Sequence, residues 1–262
     1  VSVTKRLVRL YPDPFREHWG TGLEAEAQDG GWRSWPNLLI GVLDMWLHPT
    51  VWPARSPAQR RGRAAVLAIA VALAGWLAEH AAAEQHSLHL PGLLRIGEMN
   101  LDVFDAVTLL GLALVAPRPR LSFGAAAAML RQAVRRLAVP VLLGAGVVVT
   151  VHAGVGTSVP LALRLGVLGC WWIALALGAV QLCQVVAGFG ADLTVPPHRG
   201  RLRLGVGILA GMFILTGAVV LGTSMVRGVP DTLSVATGAG LLVLASVCGW
   251  TLRDLRQLPA TG

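Results

Sequence analysis

The sequence predicts an all-α fold, a polytopic transmembrane helix bundle of about six spans with a short cytosolic helical prefix. Three observations predict it. Of 262 residues, 54% are hydrophobic and 14% charged, with a mean hydropathy of +0.62, an apolar share above that of a soluble globular domain. After Arg63 the charged residues fall in short clusters separated by long runs of Leu, Val, Ala and Gly, the pattern of spans and loops. The arginine clusters also alternate along the chain: every second connection is rich in them, as short cytoplasmic loops are. The chain divides into a helical prefix (1–53), a basic linker (54–63) and a six-span domain (64–256).

The prefix is mixed in charge, rich in tryptophan and broken by prolines at 12, 14, 36, 49 and 53. Three short helices are expected, at 4–11, 14–28 and 36–48. Pro14 and Pro36 suit first-turn positions, and Gly30-Gly31 suits a stop and turn. No continuous apolar stretch precedes Tyr11, so the first span is expected to act as the insertion signal.

A span needs about 20 mostly apolar residues to cross roughly 30 Å of hydrocarbon. Six stretches qualify: 64–83, 98–116, 137–156, one within 161–189, 204–223 and 233–252. Arg60, Arg61 and Arg63 precede the first. Arg118, Arg120, Arg131, Arg135 and Arg136 lie between the second and third, Arg199, Arg201 and Arg203 between the fourth and fifth, and Arg253 and Arg256 after the last. Placing these segments inside puts both termini in the cytoplasm of a cell-membrane protein.

Segment 121–137 sets Arg131 and Arg135 against Phe123 and Leu130, the pattern of an amphipathic helix on the inner membrane surface. Gly207-Ile-Leu-Ala-Gly211 is expected to let helix backbones approach closely. A net charge of +8 does not indicate nucleic acid, because the basic residues flank apolar runs rather than gather on a solvated face. Cys170, Cys183 and Cys248 lie inside apolar runs without ligand spacing, so neither a disulfide framework nor a metal site is expected.

Leu10-Tyr11-Pro12, Phe15-Arg16, Trp19-Gly20 and Glu24, with the closing Leu43-Asp44-Met45-Trp46-Leu47-His48-Pro49, resemble the LYP, aromatic-Arg, aromatic-Gly, Glu and LDxxLHP pattern of an actinobacterial membrane-protein prefix. Similar prefixes precede ABC-transporter permeases. The resemblance covers the first fifth of the chain and implies a permease-type or regulatory membrane subunit with a separate cytosolic ATPase or regulator. No Walker A loop occurs in the chain, so the resemblance leaves ATP hydrolysis to that partner.

The second stretch opens with Glu98, Asp102 and Asp105, and spacings of four and three put these acids on one helix face. Asp105 lies about two turns inside the apolar slab, counting back from Pro117, and ionisable groups at such depth mark function by default. Crowding and lost hydration leave carboxyl groups so placed able to donate a proton. Glu79, His80, Glu84, His86 and His89 leave the first span on the same side, His152 ends the third and Arg164 begins the fourth. A polar pocket at the outer ends of spans one to four is therefore expected.

In size, span number and buried acids the chain is similar to small membrane-embedded terpene cyclases. That likeness implies a lipophilic, isoprenoid-type substrate drawn from the bilayer, with Asp105 as proton donor and Asp102, Glu98 and Glu79 as tuning partners. Trp76, Trp171 and Trp172 would steady a carbocation, with Phe104, His152 and Arg164 completing the substrate site. No cofactor is expected.

Overall fold

The computed structural model describes residues 3–49, 52–54, 56–88, 103–120, 122–152, 161–188, 194–226 and 232–257. The prefix forms α1 (Val3–Val8), α2 (Asp13–Asp29) and α3 (Trp35–Leu47), with one 3-10 turn at Gly31–Ser34. Pro14 and Pro36 occupy the first turns of α2 and α3. Gly31 takes the positive φ of 56° that the turn after α2 requires, a conformation open to glycine at little cost.

A small core of Tyr11, Ala27, Leu38 and Val42 holds the three helices together. The Tyr11 hydroxyl donates to the Leu38 carbonyl oxygen over 3.1 Å, and the Trp46 indole N–H donates to the Leu10 carbonyl over 2.9 Å. Arg16 pairs with Asp13 one turn before it rather than with the glutamates of α2. Asp44 and His48 form an i,i+4 pair at 3.1 Å, and the His48 ring meets Trp250 of the last helix at 5.8 Å. The LDxxLHP residues thus clasp the prefix to the bundle.

The remaining helices are α4 (Pro57–Leu88), α5 (Val103–Val115), α6 (Phe123–Thr150), α7 (Leu161–Gly188), α8 (Arg199–Val226) and α9 (Thr232–Gln257). Helix α4 begins inside the basic linker, where Pro57 suits the first turn and the Ser56 hydroxyl accepts from the Gln59 N–H. Among the described residues five helices, all but α5 of these six, are long and apolar enough to cross a membrane. Helix α5 has 13 residues, about 20 Å at 1.5 Å per residue, and positions 98–102, expected to begin that span, lie outside the described residues. Segment 121–137 is not a separate surface helix: α6 runs unbroken from Phe123 through Pro140 to Thr150.

Helix pairs α4–α5, α5–α8, α6–α7 and α8–α9 pack together, and α4 also touches α7, α8 and α9. Ala64, Ala65, Ala68 and Ala72 share the buried face of α4 with Ile69 and Val71. Without a hydrophobic drive between helices in lipid, such small side chains promote association by close contact. The tightest approaches of one backbone to another are at other glycines than expected. A Cβ on Gly205 would stand 3.0 Å from the Gly111 carbonyl oxygen, and one on Gly217 would stand 3.0 Å from that of Gly238, whereas Gly207 and Gly211 face open space.

Residue pairs along these contacts fix antiparallel directions. Arg136 of α6 donates to Gln184 of α7 over 2.7 Å, while Gly144 faces Trp171 and Ala174. Arg199 at the start of α8 donates to the Arg256 carbonyl at the end of α9 over 2.7 Å. Arg201 donates to the Ala113 carbonyl near the end of α5. A short antiparallel ladder, β1 (Arg118–Pro119) with β2 (Thr194–Val195), joins the connections after α5 and α7. The arginine-bearing ends of α4, α5, α8 and α9 therefore lie at one end of the bundle. The lipid-ready surface is plain on α6, where Leu142 is 71% exposed alongside the exposed Val134, Val139, Val141 and Val149.

Candidate functional site

At the end of the bundle opposite the arginines, α4 presents Trp76, Glu79 and His80. The 76–80 spacing stacks two rings on one helix face, with centroids 4.3 Å apart and planes inclined by 31°. Helix α5 brings Asp105 against that face. Its carboxylate is buried, at 6% exposure, and Oδ1 accepts the Trp76 indole N–H over 2.9 Å.

His80 connects the acids. Its Nδ1 lies 3.0 Å from the Trp76 carbonyl oxygen and 2.9 Å from Glu79 Oε2. The carbonyl oxygen can only accept, so Nδ1 carries the hydrogen. On the opposite ring edge, Nε2 lies 3.7 Å from Asp105 Oδ1, an ion-pair distance longer than a hydrogen bond. A shift of less than 1 Å would bring the pair to hydrogen-bond length, at which a proton passes between Asp105 and Nε2 directly. The arrangement is an acid–imidazole–acid chain whose buried member is anchored by an indole N–H.

This geometry suits proton handling better than metal binding. His80 directs its two nitrogens to different carboxylates on opposite edges, so the three groups do not converge on a common point, and no three His, Cys, Asp or Glu side chains among the described residues do so.

No protein-family model matches the chain, and no curated protein or solved structure matches it.

Trp76 and Asp105 are hydrogen-bonded and Glu79 reaches them through His80, while Phe104, next to Asp105 in sequence, is buried in the central core. Trp171 and Trp172 are placed elsewhere, in the cluster that Val147 and Leu168 form between α6 and α7. His152 is exposed at the end of α6, with Nδ1 2.9 Å from its own helix's Val148 carbonyl. Glu98, Asp102 and His89 lie outside the described residues, as do the side chains of Arg164, Glu84 and His86. The residue given too little weight by sequence reasoning is His80, the direct partner of Asp105. Its signal was present: an aromatic four positions before a histidine, flanked by a glutamate, in the last turns of an apolar helix.

Proposed function

We propose that this integral membrane protein is a proton-donating enzyme acting on a lipophilic, isoprenoid-type substrate that enters from the bilayer. The observation that carries the reading is the buried Asp105 carboxyl facing an imidazole whose far nitrogen is held by a second carboxylate. Protonated Asp105 gives its proton to an alkene or epoxide and is left as a carboxylate, which the Trp76 N–H stabilises. The imidazolium form of His80 returns a proton to Asp105, and Glu79 balances the ring's charge meanwhile. Trp76 and Phe104 steady the resulting cation. The cation then loses a proton to the Nε2 that His80 has freed, which restores the starting protonation of both groups without any other reactant.

The test is turnover of an epoxidised prenyl substrate by protein reconstituted in liposomes, with products identified by mass spectrometry. Wild type converts the substrate and Asp105→Asn does not. No turnover by wild type, or undiminished turnover by Asp105→Asn, removes the reading.

A second reading, a permease-type or regulatory subunit, draws on a different observation. Ile40, Leu43 and Trp46 of α3 leave an apolar face of the prefix more than half exposed, an area suited to a cytosolic ATPase or regulator. Recovery of an ATPase with the tagged chain from its own membranes would favour it. For either reading we place the protein in the cell membrane with both termini cytoplasmic, supported by the gathering of arginines at one end of the bundle.

A further inference from the structure

A second feature lies at the arginine end, remote from Asp105. The prefix, the first turns of α4, the last turns of α7 and the β2 segment enclose a cavity of about 720 Å³, within the roughly 300–1,000 Å³ of small-molecule sites. Its chemistry changes along its length. Ser56, Gln59 and Arg63 stand at the start of α4, while Val66, Leu67 and Ala70 line it deeper along the same helix. From Ser56 to Ala70 is about 21 Å of helix. Across from them Cys183 and Val186 of α7 close the apolar part.

Among the described residues of the lining, Arg63 is the one charged side chain and none is a carboxylate. Its guanidinium is held in place rather than swinging in solvent. Nη1 donates to the Trp52 and Pro53 carbonyls over 3.3 and 3.0 Å, and the group stacks 5.3 Å from the Trp52 ring centroid. Only Nη1 is so engaged among the described residues, which leaves the rest of the five-donor fork to a ligand. Arg60 and Arg61 on the same turn add positive charge. Trp46 and Trp52 wall the cavity on the prefix side, as aromatic residues do at the level of lipid headgroups.

We infer that this cavity binds an anionic phospholipid of the inner leaflet, its phosphate at Arg63 and one acyl chain along Val66, Leu67 and Ala70. The charge complementarity selects an anionic headgroup, and the apolar depth selects a chain over a free anion. Because the walls come from the prefix as well as from α4 and α7, the bound lipid joins prefix to bundle. The site is independent of the proton-transfer reading.

The test uses the full chain purified in detergent, with phosphatidylglycerol, phosphatidylcholine, a free fatty acid and inorganic phosphate as probes. Binding is read by native mass spectrometry and by the thermal unfolding midpoint. Wild type retains phosphatidylglycerol about tenfold better than phosphatidylcholine and is thermally raised by it, because both lipids offer a phosphate but the choline cation is repelled by Arg60, Arg61 and Arg63. Arg63→Gln removes that preference and Arg63→Lys keeps part of it. Gly62 lines the cavity and a Cβ added there meets nothing within 4 Å, so Gly62→Leu starts its side chain into the site and removes binding in a chain whose folding is checked by its unfolding midpoint. Equal retention of the two phospholipids by wild type overturns the inference, as does equal binding of the fatty acid or of phosphate alone. So does a preference unchanged in both Arg63→Gln and Gly62→Leu.

Discussion

The indole N–H of Trp76 donates to Oδ1 of Asp105 across 29 positions of sequence, and this bond sets α5 in register against α4. In a helix contact where lipid supplies no hydrophobic drive, one polar bond of this kind specifies rotation as well as adding stability. It also determines which substitutions at Asp105 separate chemistry from folding.

Asp105→Asn keeps an oxygen to accept the indole N–H, whereas Asp105→Ala leaves a buried donor without its acceptor. The alanine variant is expected to lose about 1–3 kcal/mol of stability. The asparagine variant unfolds close to wild type while losing any proton-transfer activity. Thermal unfolding in detergent, followed by circular dichroism, separates the two.

Helix approach predicts a contrast between glycines two positions apart. Gly205→Ala puts a Cβ 2.8 Å from Val115 Cγ2 and 3.0 Å from a backbone oxygen, so about 1–3 kcal/mol of overpacking is expected. Gly207→Ala meets nothing and gains up to about 1 kcal/mol of helix propensity. Unfolding midpoints of the two variants should fall on opposite sides of wild type; equal midpoints would show that the α5–α8 contact is misplaced.

Tyr11 is the only tyrosine in the chain, and burial pushes its hydroxyl above its ordinary pKa. Ultraviolet titration of tyrosinate therefore reports this one group, with a midpoint above about 10. Because the folded form holds the proton more tightly, the stability contributed by Tyr11 is complete below that ordinary value. It is lost as pH rises through the raised one. Tyr11→Phe removes this alkaline dependence and, by deleting the bond to Leu38, costs about 1 kcal/mol.

Orientation is open to cysteine labelling in a variant lacking Cys170, Cys183 and Cys248. A membrane-impermeant maleimide applied to intact cells should label His152→Cys and spare His198→Cys, which sits beside the arginine cluster opening α8. The reverse pattern would invert the topology and move Asp105 to the cytosolic side.

Much of the secondary structure was legible because its signals are local. Proline in a first turn and Gly30-Gly31 at a stop located the three prefix helices within a few residues, and unbroken apolar length located five helices of the bundle. The arginines of 123–136 suggested a break that α6 does not make. Four consecutive alanines, Ala125–Ala128, favour continued helix, and long arginine side chains reach polar surroundings without turning the backbone. The face on which a glycine matters was not legible: Gly205 and Gly207 look alike in sequence, and only the position of α5 distinguishes them. For the site, the depth of Asp105 and its nearness to Trp76 were visible in outline. Its pairing with His80 depends on how two helices rotate against each other, as does the separation of Trp171 from Asp105.

Arg199 and Arg201 open a helix, where the peptide dipoles already concentrate positive charge and a cation is unfavourable. Their guanidinium groups cross instead to the carbonyl ends of α9 and α5, where the dipoles are negative and orphan acceptors await donors. The arginines gathered at this end of the bundle therefore also terminate two neighbouring helices. Exchanging Arg199 and Arg201 for glutamine would fray α5 and α9 even in a molecule already inserted the right way round.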